Sequence, residues 1–265
     1  MNTSADQTPL LVGRGLAKAY GATYALAGVD ISVRRGEAVA IMGASGSGKT
    51  TLLHVLAGII LPDAGSVTLA TAQGPRVVTD MNEAERSRLR REELGFVFQQ
   101  GLLLPELTAV ENAALPLMLA GHPRAAAEAH AARWLAALGL GGLEERRIGQ
   151  LSGGQAQRVA IARAQASGAD VIFADEPTGA LDSATSSDVM TALLDSTLRQ
   201  GHALVVVTHD PGVAARCTRT IQLRDGQIVG DETAAGAAPR LQAPMPPQTQ
   251  ALPIAGPVAA EGGIR

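Results

Sequence analysis

Ala38-Val39-Ala40-Ile41-Met42 runs into Gly43-Ala44-Ser45-Gly46-Ser47-Gly48-Lys49-Thr50, and the chain goes on as Thr51-Leu52-Leu53-His54-Val55-Leu56. The first run is apolar and of strand length, and the last reads as a helix. The octet between them matches the glycine-rich loop that joins a strand to a helix and holds phosphates. Gly43, Gly46 and Gly48 let successive backbone N–H groups turn inward, and the positive end of the following helix adds to that field. Lys49 is expected to reach the β and γ phosphates of ATP, and Thr50 to offer its hydroxyl to Mg²⁺. Ala44, Ser45, Ser47 and Thr51 complete the expected cradle. Alone, the loop leaves kinases, GTPases and helicases open.

Val171-Ile172-Phe173-Ala174-Asp175-Glu176 narrows the choice. A buried strand delivers two carboxylates to the C-terminal edge of a sheet, where α/β proteins bind ligands. Asp175 is expected in the Mg²⁺ shell, and Glu176 as the group that takes a proton from, or orients, the water attacking the γ phosphate. No phosphoryl-acceptor site of a kinase is apparent.

Further apolar runs at residues 95–98, 203–207 and 220–223 alternate with helix-like segments, which predicts a largely parallel sheet in an α/β fold. The segments before Ala38 and at residues 66–79 read as short antiparallel strands, with Gly36, Gly65 and Gly74 marking turns. Residues 102–149 turn helical, with Trp134, Leu135 and Leu138 at core-facing spacing and Gly139 as a C-terminal cap. We therefore expect a flexible start over residues 1–9, an ATPase domain over 10–232 with a helical insertion over about 102–168, and a disordered tail over 233–265. Six of the fourteen prolines (Pro239, Pro244, Pro246, Pro247, Pro253 and Pro257) fall in that tail.

The formal net charge of -3 carries no footprint for nucleic acid, so no nucleic-acid partner is expected. The start lacks the pattern of a secretory signal. The apolar stretches at 55–61 and 102–120 are too short or carry Glu106, Glu111 and Asn112, so neither spans a bilayer. Cys217 is the only cysteine and cannot form an internal disulfide. We read the chain as cytoplasmic and peripheral on the inner face of the membrane, any membrane role coming through a partner.

Leu151-Ser152-Gly153-Gly154-Gln155, followed by Ala156-Gln157-Arg158-Val159-Ala160-Ile161-Ala162-Arg163-Ala164, resembles the signature motif and helix of the ATP-binding cassette (ABC) ATPases. Ser152 and Gln155 suit a reciprocal helix cap, and the two glycines expose N–H groups at a positive helix end. The resemblance implies a P-loop ABC ATPase core with a flanking antiparallel β subdomain and a helical insertion. It implies a homodimer in which this cap closes on the γ phosphate held by the other copy. Tyr20 then resembles the aromatic that stacks on adenine, Gln99 the glutamine that senses Mg²⁺ and the attacking water, and His209 the histidine on the γ phosphate. Ala180-Leu181-Asp182 resembles the loop crossing to the partner. Read one at a time, Tyr20 could be core, Gln99 a strand-end polar group, Asp182 a helix cap and His209 a loop residue.

Gly95-Phe96-Val97-Phe98-Gln99, Leu107-Thr108-Ala109-Val110-Glu111-Asn112 and Leu115-Pro116-Leu117 are similar to the bacterial subgroup serving macrolide export, lipoprotein release and the cell-division permease complex. A separate integral membrane permease of that kind is the implied partner. A regulator of cell-division or cell-wall machinery is the alternative. Gln165-Ala166-Ser167-Gly168-Ala169 departs from the family's usual leucine and proline before the acidic strand.

Overall fold

The computed structural model describes residues 8–99 and 101–233. The expected flexible start falls on residues 1–7 for the most part, and the expected tail beyond Thr233, outside the described residues. Two long strands open the fold, β1 (Leu11–Tyr20) and β2 (Thr23–Val33), followed by β3 (Ala38–Met42) and α1 (Lys49–Leu56). Then come β4 (Ala64–Thr71), β5 (Gly74–Val77), α2 (Glu83–Glu92) and β6 (Leu94–Phe98). The helical stretch holds α3 (Ala109–Leu119), α4 (Arg124–Ala137) and α5 (Gly153–Ala166). The chain closes with β7 (Val171–Asp175), α6 (Ser183–Leu198), β8 (Ala203–Val207), α7 (Pro211–Ala214), β9 (Arg219–Arg224) and β10 (Gln227–Thr233).

The main sheet has the order β10-β9-β3-β8-β7-β6. Its strands from β9 through β6 are parallel, and β10 pairs antiparallel at one edge. Strand alternation sorts the apolar residues onto two faces. Ala38, Ala40, Ile172, Ala174, Leu204 and Val206 face a core shared with α3, α4, α5 and α6. Val39, Ile41, Val171, Phe173, Val205 and Val207 face a second core shared with α1 and the other sheet. Burial on both faces explains why these strands read as continuous apolar runs.

The second sheet is antiparallel, β2-β1-β4-β5. The strands before Ala38 are not short, as the sequence reading had them: β1 has 10 residues and β2 has 11, because register shifts at Gly13/Leu16 and Lys18/Ala19 let one curved ribbon continue where the apolar pattern breaks. The domain end also moves, since Thr233 pairs with Arg219 in β10 and belongs to the sheet.

Helix starts follow local chemistry. Asn82 with Glu85, Thr108 with Glu111, and Ser152 with Gln155 form reciprocal caps of α2, α3 and α5. Gly139 sits just past α4 at φ 74, the left-handed geometry that ends a helix. Asn112 is fully buried and fastens the loop ahead of α3, accepting from the Leu104 N–H at 2.8 Å and donating to the Leu104 and Thr108 carbonyls at 3.0 Å.

Trp134 is completely buried in the helical core and donates its indole N–H to His130 at 3.2 Å. Trp134→Ala should therefore lower stability by about 3–5 kcal/mol through lost packing and an unfilled cavity, read as a fall in the denaturation midpoint by circular dichroism. A midpoint within about 0.5 kcal/mol of the parent, the range of a surface change, would contradict this packing.

Cys217 is buried, and burial pushes its thiol up to about 12 from an ordinary 9.0. Only the thiolate reacts with disulfide reagents. Below both values a three-unit rise leaves about 10³-fold less thiolate, so labelling of the folded chain near pH 8 should be slower than that of the denatured chain by at least about that factor. Comparable rates in both states would place Cys217 in contact with solvent.

Candidate active site

Four parallel strands end side by side, and each hands one group to the same edge of the sheet. After Met42 the chain turns into the glycine loop. After Asp175 comes Glu176, whose N–H donates to the Val207 carbonyl at 2.9 Å, tying the tops of β7 and β8 together. After Val207 come Thr208 and His209, and after Phe98, which lies opposite Asp175 in the ladder, comes Gln99.

The glycines of the loop have steric reasons. A Cβ on Gly43 would collide with the Leu223 carbonyl, and one on Gly48 with the Ala25 carbonyl. Gly48 also holds φ 101 as the N-cap of α1 and offers no side chain, so the first N–H groups of the helix remain for a ligand. Ser47 Oγ is buried with no hydrogen-bond partner in the same loop. The Lys49 ammonium donates to the Gly43 and Ala44 carbonyls at 2.9 and 2.8 Å, folded back on its own loop. Uncapped N–H groups at the head of α1, an orphan hydroxyl and a buried ammonium together suit a ligand rich in anionic oxygens.

Thr50 Oγ1 lies 3.4 Å from Asp175 Oδ1. Burial raises the Asp175 carboxyl above its ordinary range, against the opposing Thr50 hydrogen bond. A hydroxyl beside a carboxylate that lacks a full counter-charge fits a hard divalent cation such as Mg²⁺. Among the described residues no group of three or more His, Cys, Asp or Glu side chains could hold a metal alone, so phosphate oxygens would have to complete its shell.

Glu176 adopts φ 46, a left-handed conformation costing a non-glycine residue roughly 1–3 kcal/mol. His209 Nδ1 lies 2.8 Å from Glu176 Oε1. An ionised carboxylate only accepts, so Nδ1 carries the proton and Nε2 is left outward. The pairing of these two side chains, 33 residues apart, was not readable from the sequence.

Tyr20, Lys49, Thr50, Thr51, Glu176 and His209 line one cleft of about 620 Å³ together with the glycine loop. Tyr20 is 54% exposed at its mouth, which removes the reading of that residue as core. Asp63 braces it: the carboxylate accepts from Lys18 Nζ and the Ala19 N–H, both at 2.7 Å, while Lys18 lies 6.0 Å from the Tyr20 ring centre. Those two hydrogen bonds, the Lys18 one foremost, hold the Asp63 carboxyl below its ordinary range. No motif points to Asp63, which lies far from Lys18 along the chain.

Gln99 stands apart from the cleft, its amide packed over Gly179 in the loop that follows Glu176. Asp182 caps α6, accepting from the Thr185 N–H at 3.0 Å, as its plainer reading held. Ser152, Gly153, Gly154 and Gln155 form the expected cap at the start of α5, yet none of them lines the cleft. Ser152 and Gly153 are exposed.

A protein-family model described as ABC transporter matches residues 26–179. The chain is 46% identical over 239 residues to the pyoverdine export ATP-binding/permease protein PvdT of Pseudomonas savastanoi pv. phaseolicola, covering 88% of this chain and 36% of that protein. It is 45% identical over 246 residues to the macrolide export ATP-binding/permease protein MacB of Rhodopseudomonas palustris, covering 89% and 37%. The chain thus spans little more than a third of the length of these curated relatives. Among solved structures it is similar to the ATP-binding cassette MJ0796, a dimer in a post-hydrolysis state bound to ADP and Pi, with 38% identity, a TM-score of 0.76, and 86% of this chain and 100% of that one covered.

Proposed function

Since the chain belongs to the ABC transporter family and is an ATP-hydrolysing cassette of it, we propose that two copies sandwich ATP and use its hydrolysis to drive a membrane permease of the exporter type. One observation carries this reading: the cleft gathers Tyr20, Lys49, Thr50, Glu176 and His209, while Ser152 and Gly153 of the α5 cap stand exposed outside it. The Ser152 and Gln155 N–H groups serve the reciprocal cap, which leaves the glycine N–H groups at a positive helix end for an anion. A second copy turned to face the first supplies one.

In each site the loop amides and Lys49 hold the β and γ phosphates, and Tyr20 stacks on the base. Thr50 and Asp175 are the residues that would hold Mg²⁺, with Gln99 joining them on leaving its place over Gly179, and the ion would supply charge neutralisation on the phosphates when bound. Glu176 orients a water and takes its proton as the water oxygen bonds to the γ phosphorus. The bond to the bridging oxygen breaks, ADP carries away the electron pair, and inorganic phosphate is the second product. ATP favours the closed pair because only that pair makes both sets of contacts.

The permease contact is assigned to an apolar groove of about 340 Å³ lined by Phe96, Phe98, Leu102, Leu115, Leu119 and Arg163. Leu119 is 67% exposed there, as a partner-facing residue should be. No helix among the described residues is long and apolar enough to cross a membrane. Substrate choice lies with that permease. Leu119→Glu should keep basal ATP turnover within about twofold, as surface changes do, while at least tenfold less permease copurifies from detergent-solubilised membranes, the effect of about 1.4 kcal/mol. Undiminished copurification would move the contact elsewhere.

A further inference from the structure

Gly95, Phe98, Gly101 and Leu102 each meet a residue of α5. Gly95 is packed so tightly on α5 that an added Cβ would sit 2.8 Å from the Ala164 carbonyl. Gln157, only 4% exposed, donates its amide to the Phe98 carbonyl at 2.9 Å. A Cβ on Gly101 would rest against Gln157 and Ala160. The Arg163 guanidinium spans the next two carbonyls, donating to Gly101 at 2.7 Å and to Leu102 at 2.8 Å.

Two features set Arg163 apart from an ordinary helix-surface arginine. Partial burial lowers its affinity for the proton, with no carboxylate opposing that effect, and its hydrogen bonds are made to backbone carbonyls alone. Its two partners form a left-handed turn, Gly101 at φ 66 and Leu102 at φ 45, and the second is a strained position for a leucine. The guanidinium thus bonds both carbonyls of a turn that contains one strained residue. Gln99 lies between the two attachment points, with Phe98 fixed before it and Gly101 and Leu102 fixed after it.

We propose that Gln157 and Arg163 are positioning residues that bind the Gln99 loop to α5, so that Gln99 and the Ser152–Gln155 cap at the head of the same helix move as one body. The proposal rests on the role given to Gln99 above. Arg163 also lines the apolar groove, which places the same clamp under the permease.

The test compares the full chain with Arg163→Met, Arg163→Lys, Gln157→Leu, Gln99→Ala and the Arg163→Met/Gln99→Ala double variant. Three readouts are taken: kcat for ATP, equilibrium binding of a fluorescent ATP analogue, and amide hydrogen exchange over residues 96–104. Arg163→Met should leave analogue binding within about twofold, lower kcat about tenfold and speed exchange in that segment, and Lys should restore part of kcat. The double variant should be no slower than Gln99→Ala, because both changes remove the same positioned group. Should Arg163→Met not fold, Gln157→Leu carries the same expectations. Additive losses in the double variant, or a wild-type kcat in both clamp variants beside a slowed Gln99→Ala, overturn the clamp alone. A wild-type kcat in Gln99→Ala overturns the role of Gln99 and the proposal with it.

Discussion

Glu176→Gln is expected to slow ATP turnover by about 10² to 10⁴, the contribution of a positioned general base, while nucleotide still binds. The substitution keeps the size of the side chain, and the backbone that aims it is held independently by the Val207 carbonyl and the β7 ladder. Even the hydrogen bond to His209 survives, since the amide oxygen of Gln accepts from Nδ1–H as the carboxylate does. What disappears is the charge and the ability to take a proton, so the change reads the chemistry with little disturbance of the site. Phosphate release under saturating ATP gives the rate, and analogue binding gives the affinity. Turnover at the parent rate would remove Glu176 from the proposed role.

Lys49→Ala should act at the earlier step and weaken ATP binding by about 10²-fold or more. Two charge-assisted hydrogen bonds to phosphate oxygens, at roughly 1.5 kcal/mol each, account for that factor at the low end. The side chain now bonds only to the Gly43 and Ala44 carbonyls at the cleft surface, where water can replace it, so the fold should persist and the melting temperature serves as the control. Unchanged affinity in a folded variant would contradict the phosphate assignment. The two substitutions thus separate binding from hydrolysis.

The parallel sheet was legible because β3, β7 and β8 are buried on both faces and read as unbroken apolar runs, and β6 and the alternating β9 were also expected near their observed places. Edge elements were not. β10 carries alternating exposed and half-buried residues and Gly230, and it exists because Arg219 to Arg224 offers a free edge. α2 was missed because it is highly charged, with Arg86 and Leu89 its only buried residues, and its cap at Asn82 was the sole local signal. Lys49, Glu176 and His209 could be singled out because each follows a strand whose end an apolar run marks, whereas Tyr20, the last residue of β1, rested on the family resemblance. The groups that orient them could not be: Asp63 beside Tyr20, His209 on Glu176, and Arg163 under the Gln99 loop are contacts between residues 33 to 62 positions apart. Such pairs depend on topology, and no local pattern encodes them.

The sandwich of two nucleotides between two copies is the claim on which the rest stands. Sedimentation of the Glu176→Gln chain with and without ATP tests it most directly, because hydrolysis can no longer reopen the pair. The account predicts a single-chain particle without nucleotide and a two-chain particle with ATP, the latter abolished by adding Lys49→Ala. A strictly single-chain particle at saturating ATP, even with the permease supplied, would contradict it.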